Sequence, residues 1–450
     1  MDTTVVERPL PPSVEGNLIF SKLLPVVINL KEWLEKHAEE KGPIYYAWMR
    51  TTGFVVITDP ELARYVLVEN HKNYIKSFGY EILALFLGQG LLTSDGSFWL
   101  RQRRLAQPAF HRRRLATLAR YMVEETDALA EEWEEKAQHQ DSFDMLEEMM
   151  EVTMKIVARS LFSANVDQQI DVISHNLERL NHFAMRRIKS PVRMPMWVPN
   201  LRNLVFRQTS QELDEVLFEI IEERRKDPNP PDDLLSMLME AVDEDTGEGM
   251  NNQQLRDECM TIFVAGHETT AVSMTWLWYL LSQNPEVAEK LKAELAEVLG
   301  GRNATLEDLP NLKYTRMVID ETLRLYPPGW LIGRKPLQED VIGGYKIPEE
   351  SNVLLFTHYI HRRPDLWDRP DDFWPERWET EKVKNLPKMA YFPFGGGPRL
   401  CIGNNFALME MTFMVATLGQ KFIPKFVAEE HPKLSPLITL RPKTKVEMAL

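Results

Sequence analysis

Cysteine is almost absent from this chain of 450 residues, which holds only Cys259 and Cys401. Two cysteines cannot form a disulfide framework, so a reducing compartment, the cytoplasm, is the expected location. No apolar run of about 18 residues occurs, and a transmembrane anchor is therefore not expected. The segment from Asn17 to Leu30 is apolar in part, but Lys22 and Pro25 interrupt it, and we interpret it as neither anchor nor signal peptide.

An excess of positive charge is also lacking. The chain has 53 Lys and Arg against 67 Asp and Glu, a net charge of −14, which argues against nucleic acid as a general partner. Repeats and low-complexity tracts are absent as well, which excludes solenoids and disordered arrays. What remains is an ordinary globular composition, and its 44% of hydrophobic residues is enough for a large core.

The stretch from Phe394 to Gly403 places one thiol, that of Cys401, on a glycine-rich loop. Three consecutive glycines let the backbone turn tightly and pass close to a flat group, while amide N–H groups can point at the sulfur. Such a loop is predicted to favour the thiolate, and a metal is the strongest counter-charge for a buried thiolate. The alternative is a buried structural cysteine, the commoner role of a lone cysteine.

A second unusual stretch interrupts the long apolar segment from 252 to 282, which is predicted to be a buried helix. Ala265-Gly-His-Glu-Thr-Thr270 puts glycine and polar groups there, at a cost of about 1 kcal/mol for the glycine alone. Gly266 is predicted to leave a gap, and Thr269 to bond back to a carbonyl one turn earlier and open the helix locally. The expected result is a polar notch facing an apolar cavity. A contact between small residues of two helices is the alternative.

The segment from Phe98 to Arg114 is basic in an otherwise acidic protein. Trp99 and Arg103 stand four residues apart on one helix face, where an indole N–H and a guanidinium can reach the same anionic group. The remaining arginines form either a patch for an acidic electron-transfer protein or only a solvated basic face. The residues concerned are Arg101, Arg104, His111, Arg112, Arg113 and Arg114.

These stretches resemble the motifs of the cytochrome P450 superfamily, in particular its soluble bacterial members. The loop at 394–403 matches F-x-x-G-x-R-x-C-x-G at every fixed position, and 265–270 matches A-G-x-[D/E]-T-T. Trp99 and Arg103 match a W-x-x-x-R pair. Glu321-Thr-Leu-Arg324 and Pro375-Glu-Arg-Trp378 match the E-x-x-R and P-E-R-[FW] segments.

The resemblance implies that haem b is bound with Cys401 as the metal ligand. Trp99, Arg103, Arg334 and Arg399 would hold the propionates, Phe394 would pack beside the sulfur, and Gly397 and Gly403 would shape the loop. Thr269 and Glu268 would be catalytic, Thr269 through hydrogen bonding during oxygen activation and Glu268 by relaying protons from solvent. Glu321, Arg324 and Arg377 would brace the fold beneath the haem.

The implied fold is mainly α, a cytochrome P450 fold with a large helical region and a smaller β-rich region. We expect a single haem domain over residues 1–450 and a monomer, without a fused reductase, because no flavin or nucleotide motif or iron–sulfur cysteine cluster occurs. From the residues themselves we predict a hairpin over 44–58 with its turn at Thr52-Gly53, a helix capped by Asp59, and strands and turns in the last thirty residues.

The implied function is monooxygenation, with electrons from NAD(P)H delivered by a separate ferredoxin- or flavodoxin-type partner. A peroxide-driven haem-thiolate hydroxylase is a rival, but such members replace the acid–threonine pair with an arginine. A haem-binding sensor or carrier is a second rival, and it would not need the polar notch.

The substrate is expected to be a hydrophobic small molecule such as a fatty acid, terpenoid or carotenoid. Segments 76–93, 182–206 and 329–333 are apolar and aromatic and are interpreted as a wall, a lid and a further contact, or alternatively as plain core and connecting loops. The stretch from Tyr326 to Trp330 resembles carotenoid-hydroxylating bacterial members. Arginines in the lid, at positions 186, 187 and 193, could instead meet a carboxylate.

Overall fold

A computed structural model describes residues 8–14, 30–49, 52–163, 167–190, 194–349 and 351–450. The expectation for 17–30 therefore lies, except for Leu30, outside the described residues, as do Pro191 and Arg193 of the predicted lid. The side chains of Met185 and Arg112 are likewise not described. In the described part of the chain, no helix has the length and apolar character needed to cross a membrane.

The described residues form fifteen α-helices. They are α1 Leu30–Lys41, α2 Pro60–Arg64, α3 Phe78–Leu87, α4 Gly96–Ala106, α5 Arg112–His139, α6 Met145–Phe162, α7 Asp167–Lys189, α8 Leu201–Lys226, α9 Leu234–Glu240, α10 Asn252–Gln283, α11 Pro285–Leu299, α12 Lys313–Leu325, α13 Thr357–Ile360, α14 Glu381–Lys384 and α15 Asn404–Lys421.

Twelve short strands complete the described part of the fold. They are β1 Ile44–Met49, β2 Thr52–Ile57, β3 Tyr74–Lys76, β4 Ser142–Asp144, β5 Ile332–Pro336, β6 Asp340–Ile342, β7 Tyr345–Ile347, β8 Asn352–Leu355, β9 Lys425–Phe426, β10 Leu434–Pro436, β11 Leu440–Pro442 and β12 Glu447–Ala449. The largest sheet has the order β1-β2-β8-β5-β3, and β10 and β11 form a separate hairpin. The predicted fold class, mainly helical with a small β region, is confirmed.

The helices share one large core, and the five-stranded sheet separates two smaller ones. Val55 and Ile57 of β2 pack on one side of the sheet, while Phe54 and Val56 pack on the other. This alternation follows from the two-residue period of a strand. The sheet is therefore buried on both faces. Its strands β3 and β5 carry Lys76 and Arg334, which belong to the candidate site described below.

The predicted hairpin and helix cap are confirmed, with one change. Asp59 accepts hydrogen bonds from the N–H groups of Glu61 and Leu62. The turn prediction is wrong, because Met49 pairs with Thr52 and Gly53 lies inside β2. The strand pairs extend further than the Thr-Gly dipeptide indicated.

Helix α10 forms almost where the sequence predicts it. Asn251 and Gln254 form a reciprocal capping box at its start. The prediction that 265–270 opens the helix is wrong, since α10 continues without interruption from Asn252 to Gln283. The back-bond of Thr269 is therefore accommodated within regular helix.

Candidate active site

Cys401 lies on a loop that two left-handed glycines turn sharply. Gly395 and Gly397 have φ of +75° and +67°, a region that other residues avoid. A Cβ on Gly397 would lie 2.0 Å from the carbonyl oxygen of Leu67, so no side chain fits there. The Cys401 N–H donates to the carbonyl oxygen of Phe394 at 3.0 Å. The thiol is thereby fixed three residues before α15.

The Cys401 side chain is exposed, yet it lies deep among protein atoms. Burial raises the pKa of this thiol, and the N–H of Gly403 and the guanidinium of Arg103 lower it by less. The loop N–H group thus lowers the thiol pKa in the predicted direction, but without a cation at the sulfur it does not outweigh burial. A metal cation at the sulfur would reverse this balance, because a coordinating thiol loses its proton.

Three cations cluster at the Cys401 loop, and one of them, Arg399, belongs to it. Lys76 and Arg334 are 8% and 7% exposed, and Arg399 is close to both. Burial lowers the pKa of Lys76 to about 7, and the charges of Arg399 and Arg334 contribute, while Asp95 opposes them. Burial also lowers the pKa of Arg334, although the hydroxyl of Tyr80 accepts from its guanidinium and opposes the shift. The cluster carries excess positive charge.

The predicted pair on α4 joins this cluster. The guanidinium of Arg399 lies over the ring of Trp99, 4.9 Å from its centre, a cation–π contact. Arg103 faces Cys401, whose charge would raise the pKa of Arg103 against the lowering effect of burial. The structure therefore brings the predicted residues Trp99, Arg103, Arg334, Arg399 and Cys401 into one neighbourhood.

The haem that the sequence resemblance implies fits these residues. A haem b is flat, carries two carboxylates and takes one thiolate ligand on its iron. Nη1 of Arg399 lies 2.5 Å from Oδ1 of Asp95, yet both atoms are buried without a properly directed hydrogen bond. One acid thus leaves the cations only partly satisfied, and two propionates would supply the missing charge. Trp99, Arg103, Arg334 and Arg399 are the residues that would hold them, with Cys401 as the ligand.

The basic segment after Trp99 is largely paired within the protein. Arg104 pairs with two aspartates of the loop 241–251 at 2.9 and 2.5 Å, and Arg101 donates to two carbonyl oxygens of that loop. Arg114 pairs with an aspartate just before α9. Arg113 is exposed. The positive patch is therefore smaller than the sequence indicates.

Thr269 takes the position that the sequence predicts. Its Oγ1 donates to the carbonyl oxygen of Ala265 at 2.6 Å, one turn earlier in α10. Ala265 is exposed and Thr269 half-buried, although most of α10 is buried. A small polar opening thus exists on this face of the helix.

Gly266 does not form this opening. A Cβ there would lie 3.0 Å from Cγ2 of Val157 on α6, so the glycine permits close packing of two helices. Thr153 of α6 also donates to the carbonyl oxygen of His267, at 3.2 Å. The prediction that Gly266 leaves a gap is wrong, and the alternative of a small-residue helix contact applies to this residue.

Glu268 is buried at 5% exposure and held by three donors from distant elements. Oε1 accepts from Thr439 at 2.6 Å and from Arg441 at 2.8 Å, and Oε2 accepts from Asn181 at 3.0 Å. Burial raises the pKa of Glu268, but Arg441 and the Thr439 hydroxyl outweigh it, and the net pKa is lowered. The carboxylate is therefore charged at neutral pH.

The structural ion cluster predicted from the E-x-x-R motif is present. Glu321 and Arg324 are completely buried and joined by two hydrogen bonds of 2.8 and 3.0 Å. Arg377 donates to the same carboxylate at 2.8 Å. Arg324 also donates to carbonyl oxygens of the segment 361–372. These contacts brace the passage that leads to the Cys401 loop.

The predicted substrate segments are only partly as expected. Trp330 is buried in the core on one side of the five-stranded sheet and donates to the carbonyl oxygen of Leu437. Between α7 and α8, Trp197 is 76% exposed, and Arg187 donates to the carbonyl oxygen of Met194 at 2.8 Å. Arg187 thus helps to hold the connection between α7 and α8 in place.

Several residues of the site escaped sequence reasoning. They are Lys76 and Asp95 beside the cations, and Asn181, Thr439 and Arg441 around the acid. Thr439 and Arg441 lie more than 170 residues from Glu268, so no local pattern connects them. Lys76 gave a weak signal, since it is a lone cation at the edge of an apolar segment.

Comparison with known proteins agrees with this geometry. The family model "Cytochrome P450" matches residues 11–448. Cyclooctatin synthase of Streptomyces melanosporofaciens is 36% identical over 84% of this chain and 82% of its own length, and cyclooctat-9-en-7-ol 5-monooxygenase of the same organism is 35% identical over 81% and 78%. The crystal structure of a cytochrome P450DA heme domain superposes with a TM-score of 0.89 at 26% identity, covering 98% of this chain and 97% of that one. The chain therefore belongs to the cytochrome P450 family and is a monooxygenase.

Proposed function

We propose that this monooxygenase binds haem b through Cys401 and oxygenates a neutral, hydrocarbon-rich substrate. The observation that carries the proposal is the single thiol beside a cluster of buried cations with too little negative charge. When bound, the haem would supply the activation of dioxygen by two electrons. The protein residues would bind the group, orient the substrate and deliver protons.

Proton delivery is assigned to Glu268 and Thr269. Glu268 is ionised and pairs with Arg441, whose side chain is 27% exposed and provides a connection toward solvent. A carboxylate in this state can accept a proton at Oε1 or Oε2 and pass it on. The Thr269 hydroxyl lies on the less buried face of α10 and would hydrogen-bond to the reacting oxygen. Thr439 and Asn181 would hold the acid in place.

The test combines spectra with turnover. We expect the ferrous carbon-monoxide adduct to show the red-shifted Soret band of thiolate ligation, and Cys401→Ser to abolish it. With a surrogate reductase system, Thr269→Ala should keep this band but lose most product per NAD(P)H and release peroxide instead. Thr275→Ala is the matched control, since Thr275 makes the same back-bond to Ala271 two turns away. A wild type that forms product from peroxide alone, without dependence on Thr269, would support the peroxide-driven rival. Absence of product in all variants would support the sensor or carrier.

Electrons are proposed to come from NAD(P)H through a separate ferredoxin- or flavodoxin-type protein in the cytoplasm. Leu100 directly follows Trp99 and Leu400 directly follows Arg399, and the side chains of Trp99 and Arg399 contact each other. The two leucines are 50% and 37% exposed. An exposed apolar surface of this kind, together with the exposed Arg113 in the first turn of α5, would suit a small acidic donor. Arg113→Glu should slow reduction by such a donor at low salt, whereas Arg202→Glu on the exposed side of α8 should not. Equal rates would argue against docking at this face.

The substrate is proposed to be a terpenoid- or carotenoid-like molecule rather than a fatty acid. Arg441 is paired with Glu268, and Arg187 donates to the carbonyl oxygen of Met194, so the structure directs neither of these two arginines at a bound carboxylate. The name of one relative states that it is a monooxygenase of cyclooctat-9-en-7-ol, an unsaturated alcohol. Titrating the haem spin state with an isoprenoid alcohol and a fatty acid of equal chain length tests this choice. Tighter binding of the acid would contradict it.

A further inference from the structure

Helices α10 and α15 lie side by side and run in the same direction. Thr270 of α10 lies against Glu410 of α15, and eight residues further along α10 the Trp278 ring lies 4.0 Å from where a Cβ on Gly419 would be. One helix begins just after Cys401 and the other carries Glu268 and Thr269. Their contact therefore connects the two sides of the site.

This contact contains buried polar atoms that lack hydrogen-bond partners. Both carboxyl oxygens of Glu410 are among them, as are Oγ1 of Thr270 and Nε1 of Trp278. Glu410 is completely buried, and neighbours on its face of α15 include Phe406, Phe413 and Met414. Most buried polar groups in proteins have a hydrogen-bond partner, so the unpartnered carboxyl of Glu410 requires an explanation.

No charged group faces Glu410 from either helix or from the other described residues. Burial raises the pKa of Glu410 to about 8, and the only opposing influence is the Thr270 hydroxyl. An unpaired carboxylate in such surroundings is strongly disfavoured, and a buried acid avoids this cost by keeping its proton. The burial of Glu410 without partners and its raised pKa thus both favour the protonated carboxyl.

We propose that Glu410 is a neutral carboxylic acid at physiological pH and a positioning residue that ties α15 to the oxygen-activating turn of α10 through Thr270. A protonated carboxyl can donate to the Thr270 hydroxyl and accept from it, whereas a carboxylate can only accept. Thr270 directly follows Thr269 in α10. A small rotation of either side chain would complete these two hydrogen bonds and satisfy three of the unpartnered atoms. The positioning half of the inference rests on the proposed role of Thr269, and the protonation half does not.

The protonation half is tested by stability against pH, without turnover. A group with a raised folded pKa binds more protons in the folded than in the unfolded state between the two pKa values. Relative to Glu410→Gln, the folded-to-unfolded ratio of the wild type should therefore fall about tenfold per pH unit from 4.5 to about 8. The total change should be about three and a half powers of ten, with no change below this window. Exposed Glu429→Gln is the control and should leave the pH dependence as it is. Parallel curves for wild type and Glu410→Gln, from urea unfolding followed by circular dichroism, would overturn the neutral acid.

A spectroscopic signature separates a proton from a merely structural contact. The difference between the infrared spectra of the wild type and Glu410→Gln at neutral pH should contain the band of one protonated carboxyl, and this band should shift in Thr270→Val. Absence of the band in the wild type would refute the neutral acid as well.

The positioning half is tested by coupling. Thr270→Val and Glu410→Leu should keep the haem and its carbon-monoxide spectrum but lose product per NAD(P)H several-fold. Glu410→Gln, neutral and still a donor, should retain it. Unchanged coupling in Thr270→Val, in an enzyme whose Thr269→Ala variant is uncoupled, would refute positioning while leaving the proposed function intact.

Discussion

Arg441 determines the charge of Glu268, and replacing it tests the arrangement of the acid directly. Glu268 is almost completely buried, and burial is the largest influence on its pKa. Arg441 is the largest of the influences that lower this pKa. In Arg441→Ala the carboxyl keeps only the donors Thr439 and Asn181. We therefore expect its pKa to rise above 4.5, the ordinary value for a glutamate.

The expected loss of stability depends on pH. Removing one partner of a buried ion pair costs about 3–5 kcal/mol, and because Arg441 is 27% exposed we expect the lower end, about 3 kcal/mol at pH 7. In the folded wild type the pKa of Glu268 is lowered, so the ionised carboxylate stabilises the folded protein above pH 4.5. This contribution is lost as the pH falls through the pKa of Glu268 in the folded state. In Arg441→Ala the pKa of Glu268 in the folded state is raised. The free energy of unfolding therefore falls by about 1.4 kcal/mol per pH unit as the pH rises, until Glu268 ionises.

The assay is urea unfolding at pH 5 to 8, comparing wild type, Arg441→Ala and Arg441→Lys. The difference between wild type and Arg441→Ala should be small at pH 5 and largest at pH 8, and the lysine variant should recover most of it. Thr439→Val, which removes one neutral donor, should cost about 1 kcal/mol. A difference that stays constant across this pH range would show that Arg441 acts only by packing, and the reasoning would be refuted.

Three further predictions concern the Cys401 side of the protein. Glu321→Gln leaves the two buried guanidinium groups beside it without a counter-charge, and it should cost about 3–5 kcal/mol in urea unfolding. Lys76→Met removes the donor to the carbonyl oxygens of the loop 88–95, and it should speed transfer of haem to an excess of a haem-binding acceptor protein. Gly397→Ala forces a Cβ against a backbone oxygen at positive φ, and the purified protein should contain little haem. Gly79→Ala, where nothing lies within 4 Å of the new Cβ, should keep a normal haem content.

The sequence predicts best those features that are set by neighbouring residues. Helix α10 was predicted from 252 to 282 and extends from 252 to 283, because its capping and its apolar length are local properties. The back-bond of Thr269 and the cap at Asp59 are equally local. The Cys401 loop was found through its glycines and its motif.

Features that depend on distant elements, and that no recognised motif connects, could not be predicted. Arg441 reaches Glu268 only because the β10–β11 hairpin packs near α10, and no pattern near either residue encodes this. The role of Gly266 depends on Val157 of another helix. The basic segment after Trp99 appeared free because its acidic partners lie about 140 residues later. Charge along a chain shows which residues can pair, but the fold decides which of them do.

The position of Arg441 and Thr439 on a hairpin outside α10 has a consequence for related enzymes. Two chains with the same Ala-Gly-His-Glu-Thr-Thr hexapeptide would differ in the proton affinity of the glutamate if their hairpins carried different side chains. Two such enzymes would then have different pH optima although their hexapeptides are identical. Exchanging β10 and β11 between such relatives is thus a route to retuning the acid without altering the residues nearest the reacting oxygen.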